Sequence, residues 1–321
     1  MISNEIDSFW KTAKFDQFKG VNGVIVAFAY FKQIKKDSDS ILLVPGRGES
    51  YYKYQNLAFD FFNRGYNVFI IDHRGQGYSQ RLLENNHKGY VKKFQDYVND
   101  LAFFVDSIVM KDNQKKPYLI AHSMGGAIAA RYMQDHPNAI KAAVLSCPML
   151  GFNTGFLPQS FAELLVSSLL TLNNWLGTTP WYFLGQQNFK VKEFTDNNLT
   201  HSFTRYKDFV TLYKNNGAIQ LGGVTSHWLL ESVKAQKVIF DNLNKLKTPI
   251  IVFNASADKI VCRKAQQKFC RILNGIDPSI YSLADPISFK GAYHELFFEI
   301  DEYRDQAITL SIDWFQQYQQ S

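Results

Sequence analysis

Tyr118-Leu-Ile-Ala-His-Ser-Met-Gly-Gly126 is the strongest local signal in this sequence. An apolar run leads directly into His122 and Ser123, and a helical pattern follows the glycine pair. A serine on a sharp turn between a buried strand and a helix needs small residues two positions before and after it. Ala121 and Gly125 meet this need, although glycine is usual at the first position. We therefore predict a nucleophile elbow at Ser123, the alternative being an ordinary strand-to-helix turn with an incidental serine.

Short apolar runs on both sides of this stretch indicate strands that are buried on both faces. They are Ile41 to Val44, Tyr66 to Ile71, Tyr118 to Ala121, Ala142 to Ser146 and Ile250 to Phe253. Helical patterns alternate with these strands, which predicts an α/β fold with a mostly parallel sheet and helices on both faces. Two candidate strands flank Asn22-Gly23, a hairpin turn signal, so we expect the sheet to begin with antiparallel strands.

The alternation of strands and helices stops between Gly151 and Ala235, where the sequence becomes helical and rich in aromatic residues. We interpret residues 151–235 as a helical cap inserted into a core domain of residues 1–150 and 236–321. The large apolar side chains of this cap favour an apolar substrate. They are equally what the packed interior of a cap requires.

A serine hydroxyl needs a base within hydrogen-bond reach, and the base needs an acid to orient it. In this type of fold the chain order is Ser, acid, His. Asp258 follows the strand at 250–253, at the sheet edge where catalytic groups gather. Of seven histidines only His294 lies beyond Asp258. We therefore predict a triad of Ser123, Asp258 and His294, the alternatives being a turn aspartate and a solvated loop histidine.

An oxyanion hole needs two main-chain N–H donors. Met124, directly after the serine, is expected to provide one. The second is expected from Arg47. This residue lies in Pro45-Gly-Arg-Gly-Glu-Ser50, the segment after the first buried strand, which we call the oxyanion loop. Gly46 and Gly48 allow the backbone of this loop to turn inward. The alternative for this loop is a plain strand-to-helix turn.

Composition limits the other functions that this chain can have. The net charge of +6 comes from basic residues that are scattered along the chain, which argues against a nucleic-acid binder. The same charge suits loose attraction to an anionic membrane, or a solvated basic face without a partner. The three cysteines show no C-x-x-C spacing, so neither a zinc site nor a disulfide framework is predicted.

The sequence also bears on location. Its first residues lack the basic and apolar regions of a secretory signal. The most apolar segment, Phe156 to Leu184, contains polar residues that interrupt any span of about 20 apolar residues. We therefore expect a cytoplasmic protein without a transmembrane helix, with peripheral contact to the inner membrane through an amphipathic element of the cap.

Several motifs together resemble the bacterial lysophospholipases and monoacylglycerol lipases of the α/β-hydrolase superfamily. They are the oxyanion loop with the following Tyr51-Tyr-Lys-Tyr54, the segment Asp72-His-Arg-Gly-Gln-Gly-Tyr-Ser79, and Phe94 to Leu101. The spacing of glycines in the second motif does not fit a phosphate-binding loop, so we interpret it as structural support for the site. In the cap, Leu199 to Tyr206 and Leu221 to Ser232 are similar to membrane-associated lysophospholipases of Gram-negative bacteria.

This resemblance implies an α/β-hydrolase fold with an acyl-chain tunnel in the cap above Ser123, Asp258 and His294. Two departures are Ala121 in place of the first glycine of the elbow and Pro45 where lipase relatives often have histidine. The expected substrate is a lysophospholipid or a monoacylglycerol, cleaved through an acyl-enzyme without metal or cofactor. The alternatives are a general carboxylesterase or thioesterase for short soluble substrates, and a non-catalytic acyl-binding protein.

Overall fold

The computed structural model of this chain describes residues 2–111, 115–153, 159–177 and 179–319. Within them, eight strands form one sheet in the order β1-β2-β4-β3-β5-β6-β7-β8. The strands are β1 (Lys14–Lys19), β2 (Ile25–Phe31), β3 (Ser40–Val44), β4 (Asn67–Ile71), β5 (Tyr118–His122), β6 (Ala143–Ser146), β7 (Ile250–Ala255) and β8 (Ile287–Phe289).

The sheet is antiparallel at one end and parallel elsewhere. Strand β2 pairs antiparallel with both β1 and β4, and all other neighbours run parallel. Between β1 and β2, Asn22 and Gly23 adopt positive φ angles of 57° and 76°, as a tight turn of this kind requires. The predicted mostly parallel sheet with antiparallel N-terminal strands is therefore confirmed.

Every residue of the central strands β3, β4, β5 and β6 is buried. Strands that are apolar throughout form where helices cover both faces of a sheet, which explains why these runs show no alternation. The helices outside the cap region are α1 (Ile2–Trp10), α2 (Gln55–Phe62), α3 (Phe94–Phe104), α4 (Met124–Asp135), α8 (Arg263–Ile276) and α9 (Asp301–Gln316).

In the described residues between β6 and β7 there are three α-helices: α5 (Gln159–Leu176), α6 (Phe203–Asn215) and α7 (Ser226–Asp241). Helix α7 packs against α5 and also against α3 and α4, so it connects the cap to the core. It runs without a break across residue 235, and the division at 151–235 stays a prediction. Residues 156–158 and 178 of the apolar segment lie outside the described residues. Among the helices that are described, none is long and apolar enough to cross a bilayer.

Candidate active site

Ser123 occupies the sharp turn between β5 and α4. Its φ and ψ angles are 52° and −116°, a backbone conformation that residues other than glycine rarely adopt. A Cβ atom on Gly125 would lie 2.5 Å from the Pro45 carbonyl oxygen, so only glycine lets α4 begin this close to the end of β3. This strained strand-to-helix turn is the geometry that the elbow motif predicts.

The structure brings Ser123, His294 and Asp258 into one hydrogen-bonded chain. His294 Nε2 lies 3.0 Å from Ser123 Oγ, and His294 Nδ1 lies 2.6 Å from Asp258 Oδ2. All three side chains are buried. With Nδ1 protonated, Nε2 is free to accept the serine proton, as a general base must.

The carboxylate of Asp258 is held in its ionised form. Burial alone would raise the pKa of Asp258, but the hydrogen bond and positive charge of His294 outweigh it. The main-chain N–H groups of Ile260 and Val261 donate to Asp258 Oδ1 at 2.7 and 3.2 Å and add to this effect. The resulting pKa lies below the ordinary value, so Asp258 carries the negative charge that a protonated His294 requires.

Cys147 also lies in this site, directly after β6. It has a positive φ of 45°, and its Sγ lies within 4.8 Å of ligand atoms of Asp258 and His294. Burial and the charge of Asp258 raise the pKa of its thiol well above the ordinary value, which keeps it protonated. In the described part of the chain this is the one cluster of candidate metal ligands. Its carboxylate and imidazole face each other at hydrogen-bond distance, which suits proton transfer better than metal binding.

The oxyanion loop is held in place by side chains. The N–H of Gly48 donates to Gln76 Oε1 at 3.1 Å, and Gln76 Nε2 donates to the Gly46 carbonyl at 2.8 Å. A Cβ on Gly46 would lie 3.2 Å from Ser123 Cβ, so the backbone of this loop passes close to the nucleophile. The Met124 N–H lies in the first turn of α4, where N–H groups have no partner within the helix. Met124 directly follows Ser123 and Arg47 directly follows Gly46, and their roles as the two oxyanion donors stay a prediction.

A buried ionic cluster, which the sequence does not reveal, lies behind the oxyanion loop. The Glu49 carboxylate accepts hydrogen bonds from Lys53 at 2.7 Å, Tyr54 at 2.6 Å and His122 at 3.2 Å. Lys53 also donates to Glu295, the residue after the predicted base, at 2.6 Å. The cluster therefore links the loop, the residue before Ser123 and the segment that carries His294.

The charges of this cluster stabilise one another. Burial would raise the pKa of Glu49, but Lys53 and His122 hold it well below its ordinary value. Burial would likewise lower the pKa of His122, yet the charge and hydrogen bond of Glu49 raise it. A buried ionised pair of this kind is stable only while both partners remain.

A cleft of about 770 Å³ lies between the core and the cap, and it reaches Ile260, two residues after Asp258. Arg47 and Gly48 line it on the core side, and Phe209, Val210 and Leu221 line it on the cap side. Its volume lies in the range of small-molecule sites, and its cap wall combines these apolar side chains with polar ones such as Gln186 and Asn188. The predicted acyl tunnel stays a prediction.

Known proteins resemble this chain over most of its length. A family model described as "Serine aminopeptidase, S33" matches residues 35–301. Lysophospholipase L2 of Escherichia coli K12 is 35% identical over 98% of this chain and 90% of its own length. Human monoglyceride lipase is 27% identical over 85% of this chain and 80% of its own length.

Among solved structures, a soluble variant of monoglyceride lipase from Saccharomyces cerevisiae superposes with a TM-score of 0.71. That match covers 95% of this chain and 96% of the yeast chain at 17% identity, so it supports only the similarity of the fold. The family match and the bacterial relative also show the family of this chain, since each spans most of its length. The chain belongs to the serine aminopeptidase S33 family of α/β-hydrolases.

Proposed function

We propose that this protein is a serine ester hydrolase that cleaves the single acyl ester of a lysophospholipid or a monoacylglycerol. The observation that carries the proposal is the hydrogen-bonded chain of Ser123, His294 and Asp258, in a molecule with a cleft between the oxyanion loop and the cap. The names of the relatives support the substrate class, because one is a lysophospholipase and another a monoglyceride lipase.

In the proposed mechanism, His294 Nε2 takes the proton from Ser123 Oγ while the oxygen attacks the ester carbonyl. The N–H groups of Arg47 and Met124 stabilise the resulting oxyanion. His294 then gives its proton to the leaving glycerol oxygen, which releases the alcohol and leaves an acyl group on Ser123. Water, deprotonated by His294, attacks this acyl-enzyme and frees the fatty acid. Asp258 holds the imidazole and stabilises its charged form throughout.

A panel of esters tests this function. The wild type should hydrolyse lysophosphatidylcholine, lysophosphatidylethanolamine and monoacylglycerol, and Ser123→Ala should lower these rates roughly a thousandfold or more. A fluorophosphonate should label the wild type and leave Ser123→Ala unlabelled. A preference for short soluble esters would favour a general carboxylesterase instead. Labelling without hydrolysis of any ester would indicate an acyl-binding protein.

We further propose that the cap makes peripheral contact with a bilayer, from which single-chain lipids are taken. Exposed apolar side chains gather on α5 and just after it: Leu164, Leu172, Trp175, Leu176, Trp181 and Leu184. Trp175 is 81% exposed, which is unusual for so large an apolar side chain unless it meets a partner. A helix that presents tryptophan and leucine to one side suits the interface of a membrane.

Flotation with lipid vesicles tests this contact. Wild-type protein should float with vesicles that contain anionic lipid, and Trp175→Ser with Leu172→Ser should weaken the binding. The matched control is Phe15→Ser, which removes an exposed aromatic side chain from β1, outside the cap. Equal binding of all three proteins would contradict the proposal.

A further inference from the structure

The side chain of Arg47 extends from the oxyanion loop to the cap. Its Nη2 donates a hydrogen bond to the Gly222 carbonyl oxygen, and its guanidinium lies 5.5 Å from the ring centroid of Trp228. A Cβ on Gly89 would lie 2.7 Å from Nη2, so the backbone at Gly89 also approaches it closely. The guanidinium is thus held in one place by groups that carry no net charge.

This positive charge has no anionic counterpart in the described part of the chain. No carboxylate there lies within ion-pair distance of Arg47, and its Nε is buried without a hydrogen-bond partner. The buried Arg74, by contrast, contacts the carboxylates of Asp96 and Asp100. Burial lowers the pKa of Arg47 to about 10, which still leaves it charged at neutral pH. A buried charge of this kind is costly unless an anion reaches it.

Arg47 also lines the cleft between the core and the cap. The other charged residues in that lining, Lys190, Lys192, Glu193 and Asp196, are exposed to solvent at its rim. Arg47 is only partly accessible, so an anion that entered the cleft would meet it in a largely desolvated setting. Charge-assisted hydrogen bonds to phosphate are strongest in such a setting, and the planar guanidinium can bind phosphate through two N–H groups.

The reach of the side chain fits one class of substrate. The Arg47 N–H is a proposed donor to the ester carbonyl oxygen, and the guanidinium lies one side-chain length away. In a lysophospholipid, the glycerol carbons separate the ester from the phosphate by a comparable distance. A monoacylglycerol has only hydroxyl groups there and cannot neutralise the guanidinium.

We propose that the Arg47 guanidinium binds the phosphate of a lysophospholipid while the main-chain N–H of the same residue binds its ester carbonyl. The proposal rests on the proposed ester hydrolysis and specifies its substrate. Arg47 then determines specificity, because it favours lysophospholipid over monoacylglycerol of the same acyl chain.

Paired kinetics test this. Arg47→Met should lower kcat/KM for lysophosphatidylcholine about ten- to a hundredfold more than for monoacylglycerol, which is what one charge-assisted hydrogen bond contributes. Arg47→Lys keeps the charge and should recover part of the preference. The matched control is Arg81→Met: Arg81 also joins the core to the cap, through the Ala218 carbonyl at 2.6 Å, but does not line the cleft. It should affect both substrates equally.

Equal losses on both substrates in Arg47→Met would overturn the proposal and leave Arg47 as a contact between core and cap. Calorimetry on the Ser123→Ala background separates this from a failure of the proposed function. There, glycerophosphocholine should bind to the protein with Arg47 and should not bind detectably with Arg47→Met. If glycerophosphocholine binds neither the protein with Arg47 nor the Arg47→Met variant, the phosphate site is refuted even if ester hydrolysis is observed. Hydrolysis of no ester, with glycerophosphocholine still bound through Arg47, would refute only the proposed hydrolysis.

Discussion

Glu299 accepts a hydrogen bond at 2.8 Å from the main-chain N–H of Tyr293, the residue before His294. The same buried carboxylate accepts hydrogen bonds from His201 in the cap, at 2.7 Å from Nδ1 and 2.9 Å from the main-chain N–H. The rings of His201 and Tyr293 stack at 3.8 Å. One carboxylate therefore joins the cap to the loop that carries the proposed base.

Replacing Glu299 should impair catalysis more than binding. Glu299→Ala leaves the partly buried main-chain N–H groups of Tyr293, His201 and Ile300 without their acceptor, each at a cost of up to about 1–3 kcal/mol. The His294 loop should then shift, and a misplacement of about 1 Å can cost roughly a hundredfold in rate. We expect kcat on a soluble ester to fall at least about tenfold with KM nearly unchanged. Glu302→Ala, at an exposed position on α9, is the control. Lower stability with an unchanged kcat would show that Glu299 acts only in folding.

Removal of Lys53 should destabilise the whole fold. Lys53 lies between the carboxylates of Glu49 and Glu295, and only 4% of its side chain is exposed. Lys53→Met leaves the Glu295 carboxylate without its cation and Glu49 with His122 alone, and breaking a buried pair in this way costs about 3–5 kcal/mol. The free energy of unfolding in urea measures this cost.

Two further variants make this measurement specific. Lys234 donates to Glu231 at 2.8 Å but is 60% exposed, so Lys234→Met should change stability by less than about 1 kcal/mol. Adding Glu295→Gln to Lys53→Met should recover part of the loss, since it removes one uncompensated charge. If Lys53→Met and Lys234→Met cost the same, the buried cluster does not contribute as we expect.

A single methyl group at Gly125 should disrupt the elbow. Its Cβ would lie 2.5 Å from the Pro45 carbonyl oxygen, so Gly125→Ala forces α4 away from the oxyanion loop. We expect loss of fluorophosphonate labelling and a lower melting temperature. Gly275 lies in α8, and a Cβ atom there would meet no other atom within 4 Å. Gly275→Ala should therefore stabilise the protein by about 0.5–1 kcal/mol. Labelling of Gly125→Ala at the wild-type rate would contradict the expectation.

Much of the fold could be predicted because its signals are local. Buried parallel strands are apolar throughout and can be recognised in the sequence. The catalytic residues of this fold follow the strands in the chain order Ser, acid, His, so Ser123, Asp258 and His294 can be identified as candidates. Helix α1 has no such signal, since most of its residues are polar and, among its residues from 4 to 10, only Phe9 and Trp10 are buried against the core.

The contacts that organise the site could not be predicted, because their partners are distant in the chain. Lys53 and Glu295 are 242 positions apart, and His201 and Glu299 are 98 apart. A charged residue in a sequence is usually solvated, and no local pattern marks the few that are buried in pairs. The position of Glu295 directly after the predicted base is the only hint, and it gains meaning only once Lys53 is known to lie beside it.

His73 should make stability depend on pH. It is 1% exposed, and burial lowers its pKa from 6.5 to about 4, although its Nε2 hydrogen-bonds to the Pro45 carbonyl at 3.1 Å. Between these two values the unfolded chain binds a proton that the folded chain does not. The contribution of His73 to stability is therefore full above pH 6.5 and is lost as the pH falls toward 4. Between these two pH values, the contribution of His73 to the free energy of unfolding changes by up to about 1.4 kcal/mol per pH unit.

The adjacent Asp72 changes the stability with pH in the opposite direction, over the same pH range. Burial raises the pKa of Asp72 to about 7, so its contribution is lost as the pH rises. The difference between wild type and His73→Gln, which can still donate to Pro45, isolates the histidine. We expect the stability advantage of the wild type to shrink as urea unfolding is repeated from about pH 6.5 down to about 4.5. Parallel curves would mean that His73 takes up its proton equally in both states, and its burial would then not control its charge.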